Sequence, residues 1–110
     1  MIAETPSPPY YAVIFTSHRT NIESGYNEMS EEMVTLAKQQ VGFLGLESAR
    51  NDIGITVSYW KDIESIEKWK NNVQHSVARK RGKEEWYHQF MVRIAKVERD
   101  YRFQKDTDEQ

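Results

Sequence analysis

The sequence contains no cysteine, which excludes a disulfide framework, a thiol nucleophile and a thiolate metal site. It has no run of about 18 apolar residues, the length that a membrane-spanning helix needs, and no basic stretch leading into an apolar segment at its N-terminus. Neither sign of charge dominates, since the formal net charge is -2 over 110 residues. We therefore expect a cytoplasmic protein without a membrane partner and without the basic surface that binds nucleic acid.

The common catalytic patterns are also missing. There is no glycine-rich phosphate loop, no Gly-x-Ser-x-Gly and no His-x-x-x-His. The histidines, His18, His75 and His88, are far apart in the sequence, so no metal site is predicted from their spacing. A short basic cluster from Arg79 to Lys83 is followed at once by acidic residues, which favours a solvated helix end over an anion site.

The length fits one domain, and a domain of this size buries only about two-thirds of the surface that its unfolded chain exposes. Three prolines within residues 1–9 predict a flexible N-terminal tail. Residues 10–102 form the predicted domain, and the polar residues 103–110 form a C-terminal tail.

Four strands are predicted. The first, Tyr10 to Ser17, is apolar on both faces and therefore central in its sheet. Two period-2 runs, ending at Arg50 and spanning Gly54 to Trp60, flank a short polar turn and predict paired strands. The last strand extends from about Trp86 to Tyr101, with a bulge near Ala95 where its apolar positions change face.

Two helices are predicted between these strands. Thr20 and Glu23 have the spacing of a capping box, which predicts that the first helix begins there and ends at Gly42. Asp62 is placed to cap the second helix, and Asn71 with its neighbour Asn72 would interrupt it. The resulting order is βαββαβ, an α+β arrangement.

Several residues have both a structural and a functional interpretation. Trp60 and Trp69 either belong to the core or stack against a flat aromatic ligand. His75 faces solvent if the second helix is continuous and faces a cavity only if that helix is broken. Trp86 and Tyr87 are adjacent in a strand, so one ring is expected to point outward into a subunit interface.

Five segments resemble the antibiotic biosynthesis monooxygenase family over about residues 10–101. They are Gly42 to Gly45, Glu47 to Arg50, Ile55 to Trp60, Trp69-Lys70 with His75, and Trp86-Tyr87. The resemblance implies a ferredoxin-like fold with an antiparallel sheet that pairs into a dimeric α+β barrel. It also implies that a bound substrate anion reduces oxygen directly, without metal or flavin.

Relatives with the same fold degrade haem with a first-strand asparagine, a tryptophan and a histidine. The first strand here has no asparagine, and Arg79 stands nearer the position of that histidine than His75 does. Haem therefore enters only as an alternative ligand, and no cofactor is predicted.

The resemblance leads to a hypothesis of a cofactor-independent monooxygenase acting on a small phenolic or quinol-like compound. Trp60 and Trp69 would hold the ring and Ser58 would orient it. His75 would accept a proton and Arg79 would stabilise an oxyanion. The alternatives are a non-catalytic module that binds an apolar ligand or haem, a haem-degrading enzyme, and a stress-related protein with a vestigial pocket. A homodimer is predicted from the mixed face of the Gly54 to Trp60 strand and the aromatic last strand.

Overall fold

The computed structural model describes residues 1–74 and 80–105, which contain four strands and two helices. The elements are β1 (Tyr10–Arg19), α1 (Tyr26–Lys38), β2 (Phe43–Arg50), β3 (Gly54–Trp60), α2 (Ile63–Gln74), a short π-helical turn (Gly82–Trp86) and β4 (Tyr87–Val97). The predicted βαββαβ order and the bounds of β3 are confirmed.

The strands form one antiparallel sheet in the order β2-β3-β1-β4. β1 lies between β3 and β4, which confirms its predicted central position. Both helices pack on the same side of the sheet, as in a ferredoxin-like α+β fold. The core on this side contains Val13, Ala37, Trp60 and Ile66, with Tyr11, Phe43 and Trp69 packed against them.

The two faces of the sheet have different surroundings. Alternate residues of β1, including Val13 and Phe15, lie beneath the helices, on what we call the helix-covered face. The intervening residues, including Ile14 and Thr16, lie on the opposite side, which we call the open face. Because Thr16 pairs with Ile55 on β3 and with Met91 on β4, these two side chains are also on the open face.

The two faces of β3 are reversed relative to the prediction: the helices cover the mixed face, and the apolar face is open. Ser58 and Trp60, on the mixed face that was predicted to meet a second chain, lie beneath the helices and are 6% and 0% exposed. The apolar face carries Ile55, which is 41% exposed. The small side chains of the mixed face are suited to the covered side because they leave space between sheet and helices.

The capping box was wrong as the start of α1. The Thr20 hydroxyl donates to the carbonyl of Glu85 at 2.5 Å and accepts from the N–H of Ile22, so it stabilises a turn. The helix begins after Gly25, whose φ of 79° is in the left-handed region that glycine adopts without strain. It ends at Lys38, before Gly42.

The cap of α2 is confirmed, whereas the predicted interruption was wrong. The N–H of Ser65 donates to the Asp62 carboxylate at 2.8 Å, and bonding with Ser65 lowers the pKa of this carboxyl. The helix continues through Asn71 and Asn72 to Gln74. The weak helix propensity of asparagine costs only about 0.5 kcal/mol per residue, less than tertiary packing supplies.

The bulge in the last strand is at the opposite end from the one predicted. The pairing of β4 with β1 is regular through Ala95 to the end of the strand. The register shifts only where His18 pairs with Gln89 and Arg19 pairs with Tyr87, so that His88 is the extra residue of a bulge. The strand ends at Val97, where its partner β1 begins, rather than at Tyr101.

Both terminal segments contact the sheet. The N–H of Ala3 donates to the Glu47 carboxylate at 2.8 Å, and the Tyr10 hydroxyl donates to Asp100 at 2.5 Å. Glu4 forms an ion pair with Arg102 at 3.1 Å. No helix within the described ranges is long and apolar enough to cross a membrane.

Candidate active site

A cavity of about 530 Å³ lies between the helix-covered face and the two helices. Its wall is mostly apolar and includes Val13 and Phe15 of β1, Met29 and Met33 of α1, and Phe90 and Val92 of β4. This volume is within the range of small-molecule sites. The cavity agrees with the predicted pocket between sheet and second helix, and α1 supplies a further wall.

Trp69 of α2 forms part of this wall. Its ring lies 5.2 Å from that of Trp60, with 33° between the two planes, so the inner tryptophan supports the outer one. The Trp69 Nε1 atom is buried and has no hydrogen-bond acceptor among the described residues. A buried donor without a partner costs free energy, and a ligand with a suitably placed oxygen would remove that cost.

Trp60 does not contribute to the cavity wall. Its side chain has no exposed surface, and its indole N–H donates to the Ser58 hydroxyl oxygen at 2.8 Å. Trp60 therefore belongs to the core and does not line the cavity, where it was predicted to hold a ligand ring. Ser58 reaches the wall, but its hydroxyl oxygen is engaged by this buried hydrogen bond.

Arg50, at the end of β2, brings a guanidinium group to the cavity. It donates to the Ser17 hydroxyl oxygen at 2.6 Å, and Ser17 is only 2% exposed. The absence of a side chain at Gly54 gives this group its space, because a Cβ there would collide with the guanidinium. The Arg50 head group is thus positioned by β1 and β3 together.

Two tyrosines lie near this end of the cavity, and both form part of its wall. The rings of Tyr26 and Tyr87 meet edge to face, with 6.2 Å between centroids. Burial, followed by interaction with the Tyr26 hydroxyl, raises the pKa of Tyr87, while the positive charges of Arg50 and Arg19 oppose that change. A hydrogen bond that raises the pKa of a tyrosine is one that the tyrosine donates, so the Tyr87 proton is directed toward Tyr26.

Alternation predicted that one ring of the pair Trp86 and Tyr87 points outward into a subunit interface, but neither ring does so. Trp86 is 1% exposed and donates its indole N–H to the Ser24 carbonyl at 2.9 Å. The Arg81 guanidinium lies 4.7 Å from the centre of its ring. The π-helical turn and the adjacent bulge change the strand geometry, so that Trp86 is buried while Tyr87 reaches the cavity.

The two predicted reaction residues, His75 and Arg79, lie outside the described residues and stay predictions. The other histidines, His18 and His88, are exposed near the β4 bulge, with 5.3 Å between their ring centroids. Neither belongs to the cavity wall. Within residues 1–74 and 80–105, no three histidine, aspartate or glutamate side chains form a group that could bind a metal ion.

Arg50, Tyr26 and Tyr87 were not predicted as site residues. Arg50 ends one of the segments that carry the family resemblance and is followed by Gly54, and these are the signals that the sequence offers for it. A glycine within a strand marks a close approach by another group, and here that group is the Arg50 side chain.

Comparison with protein families agrees with this architecture. The sequence profile of the family described as monooxygenase af470-like matches residues 11–98. The chain belongs to this family. The resemblance to the antibiotic biosynthesis monooxygenases is thereby confirmed.

The chain is also similar to a bacterial relative and to solved structures. The chain is 46% identical to the uncharacterised protein YqjZ of Bacillus subtilis, over 98% of this chain and 96% of that protein. A mutant of SnoaB, a cofactor-independent oxygenase from Streptomyces nogalater, has a TM-score of 0.70 at 6% identity, covering 83% of this chain and 95% of its own. A proposed antibiotic biosynthesis monooxygenase from Nitrosomonas europaea has a TM-score of 0.64 at 9% identity, over 84% of this chain and 92% of that protein. At these identities the two structures support the fold alone.

Proposed function

We propose that this chain is a cofactor-independent monooxygenase that oxidises a small phenolic or quinol-like compound in the cavity. The observation that carries the proposal is the wall at Trp69, where a flat indole faces an apolar cavity and its N–H has no acceptor among the described residues. The family description and the shared fold with an oxygenase described as cofactor-independent add support.

The apolar wall would exclude water from a bound aromatic ring and hold it against Trp69. Its indole N–H, which has no acceptor among the described residues, would donate to an oxygen of the ring. Holding the substrate in one orientation lowers the entropic part of the activation barrier. Removing water makes the substrate anion a stronger electron donor toward oxygen.

The reaction is illustrated by anthrone, an easily ionised tricyclic ketone. Loss of a proton gives an anion that transfers electrons to oxygen, and a carbon–oxygen bond forms at the deprotonated carbon. Loss of water from the resulting peroxide gives anthraquinone, so one oxygen atom enters the product and the other leaves in water. His75 as proton acceptor and Arg79 as oxyanion partner complete the proposal.

The proposed active protein is a homodimer that pairs through the open face. Two apolar side chains there are well exposed in the single chain, Ile55 at 41% and Met91 at 53%. These two side chains lie on either side of Thr16 of the central strand β1. Exposed apolar side chains on one face of a sheet favour association with another chain. A cytoplasmic location stays a prediction of the sequence.

Binding without catalysis is the second candidate function, because an apolar cavity of this size can hold a ligand without transforming it. For haem, no described histidine reaches the cavity wall, which leaves no described imidazole to ligate iron. Haem binding and haem degradation therefore draw no support from the described part of the wall.

The proposal is tested by oxygen uptake with anthrone, using protein shown to be free of metal and flavin. We expect protein-dependent uptake and anthraquinone as product. Trp69→Leu should lose most of the rate because the ring loses its supporting wall. His75→Ala should lose most of the rate and the pH dependence that histidine gives at about pH 6 to 7.

Lys68→Gln is the matched control, since Lys68 lies on the same helix in an exposed ion pair with Glu64. It should retain the wild-type rate. Uptake that does not depend on the protein, or that is equal in Trp69→Leu and wild type, would overturn the proposal and favour a binding module.

A further inference from the structure

We propose that the cavity selects organic anions, and that Arg50 receives the anionic group while the apolar wall holds the rest of the molecule. The inference rests on the proposed function only in taking the same cavity as the ligand site. It adds the residue that receives the charge and the preference for a ligand that is already an anion before it binds.

The first argument is the set of charged side chains around the cavity. Of the described residues that line it, Arg50 and Lys70 carry positive charge, and no aspartate or glutamate is among them. Both cations belong to exposed residues, and no described carboxylate opposes them in the wall. A site of one charge sign in apolar surroundings attracts a ligand of the opposite sign.

The second argument is the way in which Arg50 is held. Ser17 accepts one of its five possible hydrogen bonds at 2.6 Å, and Gly54 leaves room for the group. No ion pair of Arg50 is formed within residues 1–74 and 80–105. The guanidinium is thus fixed in position and keeps donors for a ligand.

The third argument is the polar neighbourhood of the same end. The hydroxyl-bearing rings of Tyr26 and Tyr87 also line the cavity, and the Arg50 charge acts on Tyr87. Arg19 is positioned behind Tyr26, with its guanidinium carbon 3.4 Å from the centre of that ring, and it forms an ion pair with Glu23 at 3.7 Å. Charge-assisted hydrogen bonds to oxyanions are stronger than neutral ones, and a guanidinium can make two in parallel.

The test compares two fluorescent dyes with similar aromatic bodies. Anilinonaphthalene sulfonate carries a permanent negative charge, whereas phenylnaphthylamine is neutral. We expect the wild-type protein to bind the sulfonate at least about tenfold more tightly, and the preference to fall as salt is added. This comparison needs no variant, so it remains decisive even if a substituted protein fails to fold.

Variants then assign the preference to Arg50. Arg50→Gln should weaken sulfonate binding about tenfold, the effect of losing a charge-assisted hydrogen bond, and change binding of the neutral dye by less than about twofold. The sulfonate affinity of Arg50→Lys should lie between those of the wild type and Arg50→Gln, since lysine keeps the charge but lacks the planar guanidinium. Lys68→Gln removes one positive charge away from the cavity and should change neither dye.

The inference would be overturned if the wild type bound the two dyes equally or bound neither. It would also be overturned if Arg50→Gln weakened the binding of both dyes by the same factor. Because no substrate is turned over, the result is separate from the oxygenase proposal. A protein that prefers the sulfonate but consumes no oxygen with anthrone retains anion selection and loses the proposed reaction. The reverse result retains the reaction and removes the selectivity.

Discussion

The indole N–H of Trp60 donates to the hydroxyl oxygen of Ser58 at 2.8 Å, so these two residues satisfy each other within the core. Both were predicted to contact a ligand. Their pairing assigns Trp60 to stability and leaves Trp69 as the tryptophan that meets the cavity.

Replacing Ser58 with alanine should lower the free energy of unfolding by about 1 to 3 kcal/mol, because the buried Trp60 donor loses its acceptor. Urea denaturation measures the change. The double variant with Trp60→Phe removes the donor as well as the acceptor. Its loss of stability should be smaller than the sum of the losses in the two single variants. Strict additivity would mean that the hydrogen bond contributes nothing to folding.

Trp69→Phe should change the free energy of unfolding by less than about 1 kcal/mol, because removing a buried N–H without an acceptor offsets the lost packing. Trp60→Phe should cost more, since its ring is fully packed and its N–H is bonded. Thermal and urea denaturation of the two variants give the comparison. A larger loss in Trp69→Phe would contradict the described surroundings of the two rings.

Alkaline pH should destabilise the protein partly through Tyr59. Burial, followed by its hydrogen bond to Glu47 at 2.9 Å, raises the pKa of Tyr59 from 10.0 to about 12. The folded protein therefore holds this proton more tightly than the unfolded chain, so the stabilisation is complete below pH 10.0 and is lost as the pH rises toward 12.

The measurement is the free energy of unfolding between these pH values for wild type and Tyr59→Phe. The variant should lose less stability over this window. Tyr101→Phe is the control, because Tyr101 is 98% exposed and should leave the wild-type profile unchanged. Identical profiles for Tyr59→Phe and wild type would refute the assignment.

Gly42→Ala should destabilise the protein by about 1 to 3 kcal/mol, because a φ of 92° is unfavourable for alanine and its Cβ would collide with the Ser65 side chain. Gly82→Ala is the control, since a Cβ there meets Tyr87 at an ordinary 3.4 Å. Denaturation midpoints compare the two. A smaller loss for Gly42→Ala than for Gly82→Ala would be inconsistent with the turn geometry.

Sedimentation equilibrium at micromolar concentration should give twice the mass of one chain. Met91→Lys should shift the protein toward monomer, because it places a charge on the open face. Val41→Lys is the control, as Val41 is 86% exposed and precedes β2. A wild-type monomer would remove the proposed pairing, and a dimeric Met91→Lys would assign it to another surface.

The order of the strands could be predicted from local pattern, whereas the end and the bulge of β4 could not. β3 was predicted with its observed bounds, since alternation and the preceding polar turn are both visible in sequence. The start of α1 could not be predicted in this way. The Thr20 hydroxyl, which was predicted to cap this helix, donates instead to the carbonyl of Glu85, 65 residues away.

The candidate site was predictable only in part, for the same reason. Trp69 was identified by its residue type and helical position, and it does reach the cavity. Arg50 was not identified, because its position depends on Ser17 and Gly54, which come from two different strands. Contacts of this kind arise only when the sheet is assembled.

The alternation along β1 has a consequence for how this protein can evolve. Val13 and Phe15 line the cavity, while Ile14 and Thr16 lie on the side proposed for pairing. Inserting or deleting one residue in this strand would exchange the two sets, placing the cavity side chains on the outer surface and abolishing ligand binding and association in one step. Single-residue substitutions can alter either property separately, so changes of length should be confined to the connections between elements, whereas β1 keeps a constant number of residues.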